Sequence, residues 1–340
     1  MGALTLADEA RREVLRVTMR ARWLRPVLLD RSRRLHLVTA CSGVATLALA
    51  LWQPVGALFI STALLGVPHL VATLRHTAVV RPASRVSTGL ALLVLGLSGL
   101  TLAGLGVRGQ LEAVLALTFL GPAWEARGRP MLLLAIVGGA ALALQAPLIA
   151  VAVVAQGHAL SSLLFAGVAA RERHLRFWWP AIGFIVLSVL AVAGVLDPLL
   201  NDRPWVPPGA FESILSEVQS SAGGAGGHWL QRAVFIYALG QGLHLAVWLR
   251  VMPELDRPTP NPSPFRQQWS RLRADLGPAL WPAVLGAVIV APLLLVDGGV
   301  GRTAYFALSF FHVGFEASAL MRLSTARPPQ SCHACDTTQT

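Results

Sequence analysis

The sequence predicts an all-α fold: a polytopic transmembrane helical bundle of about ten spans with both termini cytoplasmic. Of 340 residues, 54% are hydrophobic and only 13% charged, with a mean hydropathy of +0.60. That is more apolar surface than one soluble core needs. The apolar residues run in stretches near bilayer length, separated by short polar or arginine-bearing breaks, as helices in lipid require. The net charge of +11 contains no lysine, and alternate connections collect its arginines.

Residues 1–35 read as a cytoplasmic amphipathic segment. Thr5 and Asp8 suit the cap of a helix starting near residue 6, with Leu6, Val14, Leu15, Met19 and Trp23 apolar among arginines. The transmembrane helical domain, 36–324, divides into spans at 36–52, 55–75, 87–106, 111–124, 130–144, 146–170, 179–197, 229–250, 278–296 and 303–323. The fourth and fifth are short, so eight or nine spans with a broken helix also fit. With ten, 24 of the 28 arginines lie on the cytoplasmic side, leaving Arg108, Arg203, Arg232 and Arg302 outside. This pattern places the chain in a bacterial cytoplasmic (inner) membrane as a multi-pass protein, with membrane lipids as partners. Nucleic acid is excluded, because no zinc finger or aromatic-basic interleaving accompanies the charge. Nothing in the sequence reports the oligomeric state.

The longest outer connection, 197–228, opens with the prolines of NDRPWVPPG. FESILSEVQS follows, with Phe211, Ile214, Leu215 and Val218 on one helical face, and then the flexible SAGGAGG. It reads as a lid or as a plain loop. The flexible cytoplasmic tail, 325–340, carries Cys332, His333 and Cys335, half a zinc site at most. Cys41 lacks the preceding apolar run of a lipoprotein signal. No internal repeat supports a two-fold transporter architecture.

Histidines are the most informative residues. His36, His174 and His228 fall at span ends, and His333 lies in the tail. His69 in GVPHLVATLRH, His158 in VVAQGHALSSLL, His244 in YALGQGLHLAVWLR and His312 in SFFHVGFEASALMR lie inside spans. At 1.5 Å rise per residue, all four fall in one layer from the bilayer centre to the inner interface. Ionisable groups there are costly unless they face one another, water or a metal. Neutral imidazole binds iron, copper or zinc through one nitrogen and donates a hydrogen bond from the other. The expected metal ligands are therefore His69, His158, His244 and His312, with His76, Gln156, Gln241 and Glu316 as outer partners. Glu316 follows His312 by four residues, shares its helix face, and is the candidate catalytic group. The competing reading is four separate interhelical hydrogen bonds. HExxH, GxSxG, phosphate-loop and dinucleotide motifs are absent, as are desaturase histidine clusters.

GVPH at residues 66–69 resembles the glycine, proline and histidine cluster of the Brp/Blh-type beta-carotene 15,15'-dioxygenases. His158, His244 and His312 are similar in spacing to that family's later histidines, whereas Leu70 and Thr73 depart from its pattern. The resemblance implies a non-haem iron held by the four histidines. It also implies an iron-dependent dioxygenase or other oxidoreductase acting on an apolar lipid or isoprenoid such as a carotenoid. Two further readings stay open: a haem-binding electron-transfer protein, and a proton-coupled transporter or lipid-handling protein without metal, using Glu316 and a histidine.

Overall fold

The computed structural model describes residues 3–22, 25–61, 65–80, 82, 84–102, 105, 110–145, 147–171, 173–200, 227–257, 264–281, 284–285, 288 and 298–325. Among them the chain is helical, with no strand. α1 (Ala3–Arg20) and α2 (Arg25–Leu29) precede α3 (Arg31–Trp52), whose first turn is capped by Asp30 accepting the Arg33 N–H at 2.8 Å. α3 stops at Gln53, and Pro54 opens α4 (Pro54–Ile60), where a proline nitrogen forfeits no helical bond. α5 (Gly66–Leu74) runs into a π-helical segment, Arg75–Val80. α6 (Arg85–Leu102), α7 (Gln110–Glu125), α8 (Pro130–Gln145) and α9 (Pro147–Arg171) follow.

α9 closes at His174, whose φ of 57° is left-handed, and the Leu175 N–H turns back to the Ala170 carbonyl at 3.0 Å. α10 (Trp179–Val192) ends at Gly194, with φ 80° and Arg232 so near that a side chain there would collide with it. α11 (Gly227–Ala246) continues through a second π-helical segment, Val247–Val251, into α12 (Met252–Leu255). α13 (Phe265–Leu276) and α14 (Gly298–Thr325) complete the described helices. Asp8 does not cap α1, which begins before it. Its carboxylate accepts the Phe265 and Arg266 N–H groups at 2.6 and 3.3 Å and so caps α13 from outside.

α9 is the central helix, packed against α11 on one side and α14 on the other. One hydrophobic core gathers Phe165, Phe177, Phe235 and Trp248. A second joins α6, α7 and α14 through Val94, Leu115, Phe311 and Phe315. Along α9 the first core reaches Ala159 and the second ends at Val154; along α14 they reach Ala319 and Phe315. His158 and Glu316 stand in the two gaps between them.

The ten-span bundle is corrected by these helices. Among the described residues, two helices are long and apolar enough to cross a membrane, Arg31–Trp52 and His228–Leu255, and 56% of the most apolar 18-residue stretch of the second is buried inside the protein. α7 and α8 have 16 residues each and α10 has 14, short of the roughly 20 a span needs. Hydropathy windows run across the proline breaks and π turns that divide the real helices, and a buried core helix gives the same apolar signal as a lipid-facing one. The multi-pass inner-membrane placement is corrected with the spans. The exterior is nonetheless apolar in places: Met131, Leu134 and Val137 on α8 and Ile182, Val186 and Val189 on α10 are exposed. The helix expected at 211–218, the CHAC tail and most of the ninth span lie outside the described residues.

Candidate metal centre

Each of the four histidines is placed by a different helix. Pro68 falls in the first turn of α5, where an N–H would have no intrahelical acceptor, and His69 follows it. His158 lies in α9, His244 in the last turn of α11 and His312 midway along α14. Two glycines let the helices close in beside them. A Cβ on Gly240 would stand 2.7 Å from that of Ala159, and one on Gly314 would stand 3.2 Å from the Thr118 carbonyl oxygen. α11 and α9, like α14 and α7, therefore approach more closely than larger residues would allow.

The four imidazoles converge. All are buried, and one nitrogen from each lies within 4.8 Å of the other three. His69 Nε2 approaches His244 Nε2 at 2.9 Å and His312 Nε2 at 3.3 Å. The His158 ring centroid lies 4.0 Å from that of His244 and 4.5 Å from that of His312. A metal with nitrogens at about 2.1 Å in tetrahedral array sets those nitrogens roughly 3.4 Å apart, close to the observed approaches.

Protein hydrogen bonds do not account for the cluster. Both ring nitrogens of His158 and Nδ1 of His244 are buried without a hydrogen-bond partner, and an unsatisfied buried polar group costs about 1–3 kcal/mol. Four imidazolium ions could not share so small and dry a pocket, so the neutral, ligating form of the ring is the one it accommodates. The residues thus fit a metal: four neutral nitrogen donors, three orphaned nitrogens, and a carboxylate beside them. A buried tetra-histidine site of the non-haem metal-binding type is present.

That carboxylate is Glu316, fully buried, with Oε2 3.8 Å from His158 Nδ1 and 4.0 Å from His312 Nε2. Trp248 donates its indole N–H to Oε2 at 3.0 Å, and the Ser161 hydroxyl lies 3.3 Å from Oε1 and 2.8 Å from the His158 carbonyl oxygen. Thr73 Oγ1 sits 3.5 Å from His69 Nδ1. Sequence reading missed Trp248 and Thr73, although each follows a site histidine by four residues and so shares its helix face.

The other expected outer partners are placed differently. His76 is buried in the first π-helical segment, its Nδ1 2.5 Å from Asp256 Oδ2 and its ring 5.7 Å from that of Trp248. Gln156 turns to the Ala233 carbonyl at 3.4 Å, joining α9 to α11. Gln241 is half-buried on α11.

Compared with known proteins, the chain matches no family model, no curated protein and no solved structure. The resemblance to the Brp/Blh-type dioxygenases is therefore corrected. No match supports the short GVPH likeness, and the described residues, helical and without a strand, are not the β-propeller of carotenoid oxygenases.

Proposed function

We propose that the protein is a membrane-associated, metal-dependent oxidoreductase with a non-haem iron held by His69, His158, His244 and His312. The observation that carries this reading is the convergence of four buried neutral imidazoles, three of whose nitrogens have no protein partner. Imidazole sets suit iron, copper and zinc; iron bound there supplies one-electron chemistry. Glu316 holds a proton beside the site, with Oε2 steadied by the Trp248 indole and Oε1 within reach of the Ser161 hydroxyl. The packed helices exclude water from this carboxylate. An apolar lipid or isoprenoid is the substrate class that fits, since Phe310, Phe311 and Phe315 border the site along α14 and the outer faces of α8 and α10 are apolar.

The same geometry counts against haem. A porphyrin between two axial imidazoles needs the whole equatorial plane, which the other two rings occupy. The proton-coupled transporter loses its support with the ten-span topology. Protein purified without a metal-binding tag is to be assayed for iron, zinc and copper together with its visible spectrum. Iron near one per chain without haem absorption is the expected result. Failure to retain any metal after anaerobic reconstitution would refute the site, and exclusive retention of zinc would refute the redox reading.

A further inference from the structure

A second constellation lies away from the histidines, where four parts of the chain meet. Arg34 and Arg257 share Glu254, with the Arg257 contact at 2.6 Å. Arg31 Nη2 donates to the Arg257 carbonyl at 2.7 Å. Arg173, in the turn after α9, acts electrostatically on Arg31, while Arg11 of α1 and Arg250 of the second π-helical segment act on Arg257. Glu254 thus bridges Arg34 and Arg257, while Arg173, Arg11 and Arg250 lie within electrostatic range of Arg31 or Arg257. Two carboxylates nearby are turned to helix ends: Asp30 caps α3 and Asp8 caps α13.

The arrangement is short of negative charge. Burial holds the Arg257 guanidinium below arginine's ordinary range; Glu254 pulls it back up, and Arg34, Arg11 and Arg250 push it down again. Arg31 Nε is buried with no acceptor. An arginine fork presents paired N–H groups that match two oxygens of a tetrahedral oxyanion, and several forks around one anion relieve their own repulsion. We propose that Arg31 and Arg257, with Arg34, Arg173, Arg11 and Arg250 adding to the local positive charge, form a binding site for a phosphate-type anion, either free or as a lipid head group.

Full-length protein in neutral detergent is titrated with inorganic phosphate and pyrophosphate by calorimetry. It is also floated with phosphatidylcholine vesicles with and without phosphatidic acid. Binding of the free anions identifies a soluble phosphate; binding only to the anionic vesicles identifies a head group. In either case Arg31→Gln and Arg257→Gln should each weaken binding about fivefold, the usual effect of one arginine near an anionic surface. Arg127→Gln, which removes an equal charge beside Trp124, should leave it unchanged. Arg173→Gln, at an exposed position, gives the same test if Arg31→Gln fails to fold. No response to any of these anions, or equal weakening by Arg127→Gln, would overturn the site.

Discussion

Replacing His158 by leucine separates metal binding from ordinary packing, because the two predict opposite signs. The ring is 7% exposed and neither nitrogen has a hydrogen-bond partner. Leucine fills a similar space without polar atoms, so in metal-free protein the exchange removes a desolvation cost of about 1–3 kcal/mol. The apo form should melt a few degrees higher. With iron present the order reverses. Wild-type protein gains about 2.7 kcal/mol when free metal stands roughly a hundredfold above its Kd, whereas the variant, left with three donors, should gain little. The assay is a pair of thermal melts per protein, chelated and iron-loaded. Destabilisation of the chelated variant, together with a wild-type melt that ignores iron, would show the imidazole to be a structural core residue and refute the reasoning.

Further outcomes follow from particular contacts. Trp248→Phe removes the indole N–H from Glu316 Oε2 and should cost about 1–3 kcal/mol in denaturant unfolding. Adding Glu316→Gln to it should cost less than the sum of the two single changes if the pair acts as a unit. Gly240→Val forces a side chain against Ala159, an overpacking worth about 1–3 kcal/mol; by parting α11 from α9 it should also lower iron content, read by elemental analysis. Arg232 hydrogen-bonds Asp197 and holds its carboxyl below the usual carboxylate range. The contact therefore stabilises the protein above pH about 4, where the unfolded carboxyl ionises, and that stability is lost as pH falls through the lower folded value. Asp197→Asn should remove this component from acid melts, and an unchanged acid profile would count against it.

Much of the site was legible because burying an imidazole is costly in any apolar interior. The inference grouping His69, His158, His244 and His312 assumed a bilayer, yet the same cost operates inside the packed helices that the structure describes. GVPH misled about family, since proline and glycine rules govern local backbone and carry little information about descent; it lay within a span read as continuous over 55–75, whereas the structure starts a helix at Gly66. Asp8 shows the limit of local reading: five positions past the start of α1 it is no cap for that helix, and its partners lie more than 250 residues away.

The sequence alone determined the all-α class, through long apolar runs broken by proline and glycine, and the presence of four histidines on separate helices. Tertiary structure decided the rest. Periodicity and hydropathy are set by near neighbours, so they do not distinguish a helix buried among helices from one facing lipid, and the ten spans were lost on that point. Contacts such as His69 with His312 and Trp248 with Glu316 join residues 243 and 68 positions apart. They depend on Gly240 and Gly314 letting helices approach and on two π turns resetting which side chains face inward, both consequences of packing that no window along the chain contains.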